Sequence, residues 1–149
     1  MKISQALKAV KYNEKNFKDL SEDLRNDKNI ALQAVKANGY LLEYVGKKLK
    51  KDYEITIAAL KQNGFALEFV HKDLKKNKEI TYEAIKQNGY ALQYSDKIFK
   101  NNRKIVMLAV KKYCFSVKFA HISLRKDKKI ILEAIKKYGY CLKYASPEI

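Results

Sequence analysis

The sequence predicts an all-α protein, an α-solenoid of six 25-residue helical repeats with two helical segments in each. Three observations carry that expectation. Sliding the chain by 25 residues aligns 27–39 without a gap on 52–64, 77–89, 102–114 and 127–139, with a weaker copy at 2–14. One column is alanine throughout: Ala9, Ala34, Ala59, Ala84, Ala109 and Ala134. Aromatic side chains recur at Tyr40, Phe65, Tyr90, Phe115 and Tyr140, and again four residues later at Tyr44, Phe69, Tyr94, Phe119 and Tyr144. Such a period marks a tandem array, in which stacked neighbours bury the apolar faces that single units cannot. The copies fall at 2–26, 27–51, 52–76, 77–101, 102–126 and 127–149, one repeat domain over 1–149.

The first segment of each unit reads as a helix of about ten residues, roughly 15 Å long. Asp27, Asp52, Asn77, Asn102 and Asp127 are suited to its N-cap, because their side chains accept from otherwise unpaired helical N–H groups. Ile30, Ala34 and Val35 follow at helical spacing, with Leu32 widening the stripe. Lys36 falls in the last turn, and Gly39 is expected to close the helix in the left-handed C′ conformation. The second segment carries Tyr40, Leu42, Tyr44, Val45 and Leu49. Cap-like residues in its middle (Ser21, Asp96, and Ser146 before Pro147) leave open one helix or two short turns.

The first copy reads as a cap. Lys15 and Asp19 replace its aromatics, and Glu14 stands where four of the later copies have Gly. The sixth keeps Tyr140, Leu142 and Tyr144 but stops at Ile149, within its second segment. That end is expected to be covered by something else or to form an apolar edge open to self-association. Six layers at about 9–10 Å give a rod of about 50–60 Å.

A 47% apolar share suits a globular chain, whereas the formal net charge of +16 is unusual. An excess of that size attracts polyanions and says nothing of fold. Cys114 and Cys141 occupy different repeat positions, so the pattern suggests neither a disulfide nor a metal framework. The N-terminus from Met1 to Gln5 lacks an apolar signal region, which points to the cytoplasm or to export without a classical signal peptide.

The run Ala-Ile-Lys-Gln-Asn-Gly-Tyr-Ala-Leu-Gln-Tyr at 84–94, with its relative at 59–69, resembles the bacterial repeat family known as domain of unknown function 4116. The resemblance covers 27–149 well and 2–26 loosely. Cys114 departs from it at the Gly position, and Tyr113 and Tyr138 depart at the Asn position. It implies a helical tandem repeat of host-associated bacteria and their secreted effectors, and it brings no activity or catalytic residue.

The lysines at 11, 36, 61, 86, 111 and 136 form a column that could track phosphates, or simply offset the negative ends of the helix dipoles. Arg25, Lys50, Lys75, Lys100 and Arg125 match them in the second segment. The aromatic columns read as core rather than as a stacking platform for bases. Asn38, Asn63 and Asn88 read as helix-end residues bonding locally and tolerating unusual backbone angles. His71 and His121 stand two units apart, about 20 Å on the layer spacing, so they share no metal. Without a catalytic pattern, cofactor or metal site, a non-enzymatic binding protein is the expectation.

Charge distinguishes the copies. The fifth holds seven basic residues and no acidic one, and the sixth continues the run. The candidate polyanion-binding set is Arg103, Lys104, Lys111, Lys112, Lys118, Arg125, Lys126, Lys128 and Lys129. The expected partner is a protein with an acidic surface. The alternative is sequence-independent binding of RNA or DNA through the basic C-terminal half. Attachment to anionic membranes is disfavoured, since the charge rides on packed helices.

Overall fold

A computed structural model describes residues 2–147. Met1, Glu148 and Ile149 lie outside the described residues, and with them the expectation about the point where the chain stops. Six ten-residue helices begin 25 residues apart: α1 (Ile3–Tyr12), α3 (Lys28–Ala37), α4 (Tyr53–Gln62), α5 (Lys78–Gln87), α7 (Arg103–Lys112) and α8 (Lys128–Lys137). Two four-residue helices, α2 (Glu22–Arg25) and α6 (Lys97–Lys100), complete the α set among the described residues. The fold is an α-solenoid without strands among those residues, and each long helix packs on those before and after it.

The caps stand where the sequence placed them. Asp27 Oδ1 accepts from Asn29 and Ile30 N–H at 2.9 and 3.0 Å, and Asp127 does the same for Lys129 and Ile130. The buried stripe is Ile30, Ala31, Ala34 and Val35, and its counterparts are buried in α4, α5 and α7, while in α8 the last of them, Ile135, is half-buried. Ala34, Ala59, Ala84, Ala109 and Ala134 are fully buried, whereas Ala9 is half-buried. Alanine leaves little between neighbouring backbones, which fixes close approach of successive long helices. Thr56 is tolerated in the interior because its hydroxyl donates to Asp52 O at 2.8 Å.

The second segment is two short pieces, so a typical unit has three helical pieces rather than two. A 3-10 helix comes first, as at Gly64–Phe69 and Gly89–Tyr94. A further turn follows, either 3-10 as at Leu74–Lys76 or α as in α6. The Asn column explains the break. Asn88 is extended at φ −145°, ends α5, and accepts from Tyr90 N–H at 2.9 Å to start the next piece. That angle is ordinary extended backbone, so the expected unusual conformation is absent while the local bond is present.

Glycine acts differently from the expectation. No described residue has positive φ, so the Gly column closes no helix in the left-handed region. Its role is steric: a Cβ on Gly64 would overlap the Ala84 carbonyl oxygen, and one on Gly89 the Ala109 carbonyl oxygen. The chain continues there directly into a 3-10 turn against the next unit's helix. A Cβ on Gly139 would meet nothing within 4 Å.

The first aromatic column is also corrected. Tyr40 and Tyr140 are 43% and 64% exposed, and Phe65, Tyr90 and Phe115 are half-buried. The following pair in each 3-10 helix takes the core place, as Leu41 and Leu42 or Ala66 and Leu67 do. Entering a three-residue turn at the Gly leaves the aromatic outside and turns the next two inward. The rings then stack on one another across units. Phe65 lies 5.7 Å from Tyr90, and Tyr90 lies 4.9 Å edge-on from Phe119.

Candidate binding surface

Six of the nine candidate cations lie on two neighbouring helices. Arg103, Lys104, Lys111 and Lys112 are exposed on α7, and Lys128 and Lys129 are exposed on α8. The other three are elsewhere. Lys118 sits on the 3-10 helix Cys114–Phe119, with Nζ 5.2 Å from the Tyr90 ring centre and 4.8 Å from that of Phe119. Arg125 is half-buried, its Nε without a hydrogen-bond partner, and its carbonyl accepts from Ser146 N–H at 3.0 Å. Lys126 is exposed in the same short turn.

Arg125 belongs to the second basic column, which is built into the fold. Lys50, Lys75 and Lys100 donate to the carbonyls of Glu43, Glu68 and Gln93 at 2.6, 2.8 and 2.7 Å, near the ends of the preceding 3-10 helices. Arg25 reaches Tyr44 O at 3.2 Å in the next unit. Burial pushes the ammonium pKa of all three lysines down. These side chains satisfy carbonyls that a short helix leaves unpaired.

The first Lys column, by contrast, is exposed at all six positions. Four residues before each of its members stands an apolar side chain: Leu7, Leu32, Ile57, Tyr82, Met107 and Leu132. All are half-buried or exposed, Tyr82 at 45% and Leu132 at 53%. From sequence, Leu32 counted as a widening of the buried stripe; the signal for a separate column was an apolar residue recurring every 25 positions on the lysine-bearing face. Position i+4 places each lysine beside its apolar partner on one helix face.

Two grooves open along this stripe. The one between α3 and α4 has a volume of about 570 Å³ and is lined by Leu32, Tyr53, Ile57, Ala58, Lys36 and Lys61. The one between α7 and α8, about 360 Å³, is lined by Met107, Leu132, Lys111, Lys129, Lys136 and Glu133. Their electrostatics differ. In the first, Lys28 Nζ bridges Asp52 at 3.0 Å and Glu54 at 2.9 Å. Those acids, Glu54 before Asp52, raise the Lys28 pKa. In the second, Arg103 Nε meets Asp127 at 2.6 Å, and this bond holds the Asp127 carboxyl below its ordinary range. Lys104, Lys128 and Lys129 have no acidic partner among the described residues. The α7–α8 face therefore carries excess positive charge around an apolar centre.

The titratable groups elsewhere are held in the fold. His71 Nδ1 is 3.3 Å from Asp73 and His121 Nδ1 is 2.8 Å from Ser123 Oγ. No group of three His, Cys, Asp or Glu side chains suited to a metal occurs among the described residues. Cys114 and Cys141 are free and buried. Despite their different repeat positions they meet, because the 3-10 helix Gly139–Tyr144 packs on Cys114–Phe119. The Cys141 thiol is pushed up to about 11, first by burial and then by its hydrogen bond with Cys114. Among the described residues no helix is long and apolar enough to cross a membrane.

The family model described as Domain of unknown function (DUF4116) matches the chain three times in tandem, at residues 5–50, 52–100 and 102–149. The second and third matches each span two of the ten-residue helices, and the first spans α3 and all but the first two residues of α1. Neither a curated protein nor a solved structure matches the chain.

Proposed function

We propose that this chain, which belongs to the family described as Domain of unknown function (DUF4116), is a non-enzymatic scaffold that binds a protein with an acidic surface. The observation supporting this reading is the α7–α8 groove, where Met107 and Leu132 lie among Lys111, Lys129 and Lys136, with Lys104 and Lys128 exposed on the same two helices. An apolar centre with a charged rim is the anatomy of a protein interface, in which the centre supplies affinity and the rim supplies steering and selection. A purely electrostatic polyanion site needs no such centre. Sequence-independent nucleic-acid binding is the competing reading, favoured by the excess of cations over the single Glu133 in that groove.

The test is affinity purification with and without nuclease, followed by titration of the purified acidic partner against a quadruple variant. Changing Lys104, Lys111, Lys128 and Lys129 to Gln is expected to weaken binding at least about tenfold, as loss of several rim charges does. The control changes Lys47, Lys48, Lys72 and Lys76 to Gln, which are exposed and remove equal charge away from this face. Equal losses in both variants would show that net charge alone attracts the partner. Affinity for duplex DNA that falls with salt, at a slope of about 0.9 per phosphate contact, would favour the competing reading.

A further inference from the structure

Resting on the scaffold reading, we infer that the partner binds as a single amphipathic α-helix laid across the long helices, its apolar ridge on the Leu32–Ile57–Tyr82–Met107–Leu132 stripe and its acidic end over α7 and α8. The stripe is bordered on both sides. On the C-terminal side runs the lysine column, including Lys36, Lys61, Lys111 and Lys136. On the N-terminal side run the first residues of the same helices, Lys28, Tyr53, Lys78, Arg103 and Lys128. These two rows are eight residues apart, about 12 Å along the helix axis.

That width selects the occupant. A helix with its side chains is about 10–12 Å across, so it fits between the rows with its ridge on the stripe, and presents acidic residues to Lys78 and Lys128 on one flank and to the lysine column on the other. An extended strand sends successive side chains to opposite faces, and so cannot place acids on both flanks of one apolar ridge. The spacing agrees as well. Packed helices repeat at about 8–10 Å, and a helical ligand returns the same face every seven residues, about 10.5 Å. Five stripe residues therefore match about four heptad steps.

The charge gradient sets polarity. At α3–α4 the cation Lys28 already holds two carboxylates, and the groove is the larger and more apolar of the two. At α7–α8 the lysines stand in excess. A helix apolar at one end and acidic-flanked at the other complements both grooves at once.

The probe is a labelled peptide of about 29 residues, long enough for four heptad steps, with Leu along one helical face and Glu on its flanks. Two isomers accompany it: one scrambled at the same composition, and one with a central Pro that breaks the helix. Fluorescence anisotropy at about 0.15 M salt should show the intact peptide binding at least tenfold more tightly than either isomer. Circular dichroism should show the peptide gaining helix on binding. Replacing Leu132, which is 53% exposed in the free protein, by Gln should weaken binding several-fold with an unchanged melting curve. Equal binding of all three peptides would overturn the helix inference and leave the acidic-partner scaffold standing. Failure of every acidic peptide to bind would overturn both.

Discussion

At the scale of single residues, closeness between layers decides which side chains are tolerated. A methyl group at Gly89 would occupy the space of the Ala109 carbonyl oxygen, whereas at Gly139 it meets nothing within 4 Å. Gly89→Ala is therefore expected to cost about 1–3 kcal/mol, the usual range for forcing extra atoms into a packed site. Gly139→Ala should stay within about 0.5 kcal/mol, as at open surface positions. Urea denaturation of both variants measures this, and equal effects would remove the steric account of the column. The same logic applies at fully buried Ala84, where Leu should cost about 1–3 kcal/mol and lower the melting temperature. Cys141 supplies a pH-dependent case. Its thiol titrates near 11 in the folded protein against 9.0 for the free side chain, so the unfolded chain loses that proton first. Stability contributed by the protonated thiol is complete below about pH 9 and declines as pH rises toward 11. Comparison with Cys141→Ala across that window isolates the effect. Disulfide-exchange labelling at neutral pH should be slow until denaturant is added, since the thiolate is the reactive form.

At the scale of elements, the caps and turns explain what the sequence showed and what it concealed. Asp52 accepts from Ile55 N–H at 3.1 Å at the start of α4 and also meets Lys28. Asp52→Ala is expected to lower stability by about 0.5–2 kcal/mol in thermal unfolding, the usual loss for an N-cap. A smaller loss would mean that the solenoid, not the cap, fixes where α4 begins. Five of the six long helices were legible because three signals agree at each of them: an Asx cap, a 3.6-residue apolar stripe and a terminal lysine; α1, which starts after Lys2, has only the last two. The segments between them were not. A three-residue turn is too short to show a period, and a glycine needed for close approach reads the same as one needed for positive φ. The aromatics after Gly64 and Gly89 were misplaced for that reason. Had the helix closed at a left-handed Gly, they would have begun a new buried stripe. The candidate surface was half legible. Seven basic residues in one copy were evident, yet nothing linear shows that the turn at Cys114 carries Lys118 to the aromatic ladder. Lys118, Arg125 and Lys126 drop out of the shared face because they lie on the short turns between the long helices, while Met107 and Leu132 enter it.

At the scale of the whole molecule, the repeating contacts make size and shape predictable. Six layers at about 9–10 Å give an elongated particle, so small-angle scattering should return a longest dimension well above that of a sphere of equal mass. A compact globular profile would show that the layers curl back on one another. The C-terminal layer exposes Tyr138, Tyr140 and Leu142 at 62%, 64% and 57%. Sedimentation across a concentration series is expected to show weak self-association there, held in check by Lys136, Lys137 and Lys143 beside them. A Leu142→Lys change should abolish it.

The packing of each long helix against the units next to it has a mechanical consequence. Deformation adds up along such an array: a degree or two at every interface becomes a visible bend end to end, while any one interface stays rigid. The groove between α3 and α4 should thus hold its shape while its distance from the groove between α7 and α8 breathes. Spin labels at Leu32 and Ile57 should give a narrow distance distribution, and labels at Leu32 and Leu132 a broader one. The chain then acts as a stiff ruler over one groove and a compliant spring over its full length, so that it can adjust its pitch to a ligand without repacking its core.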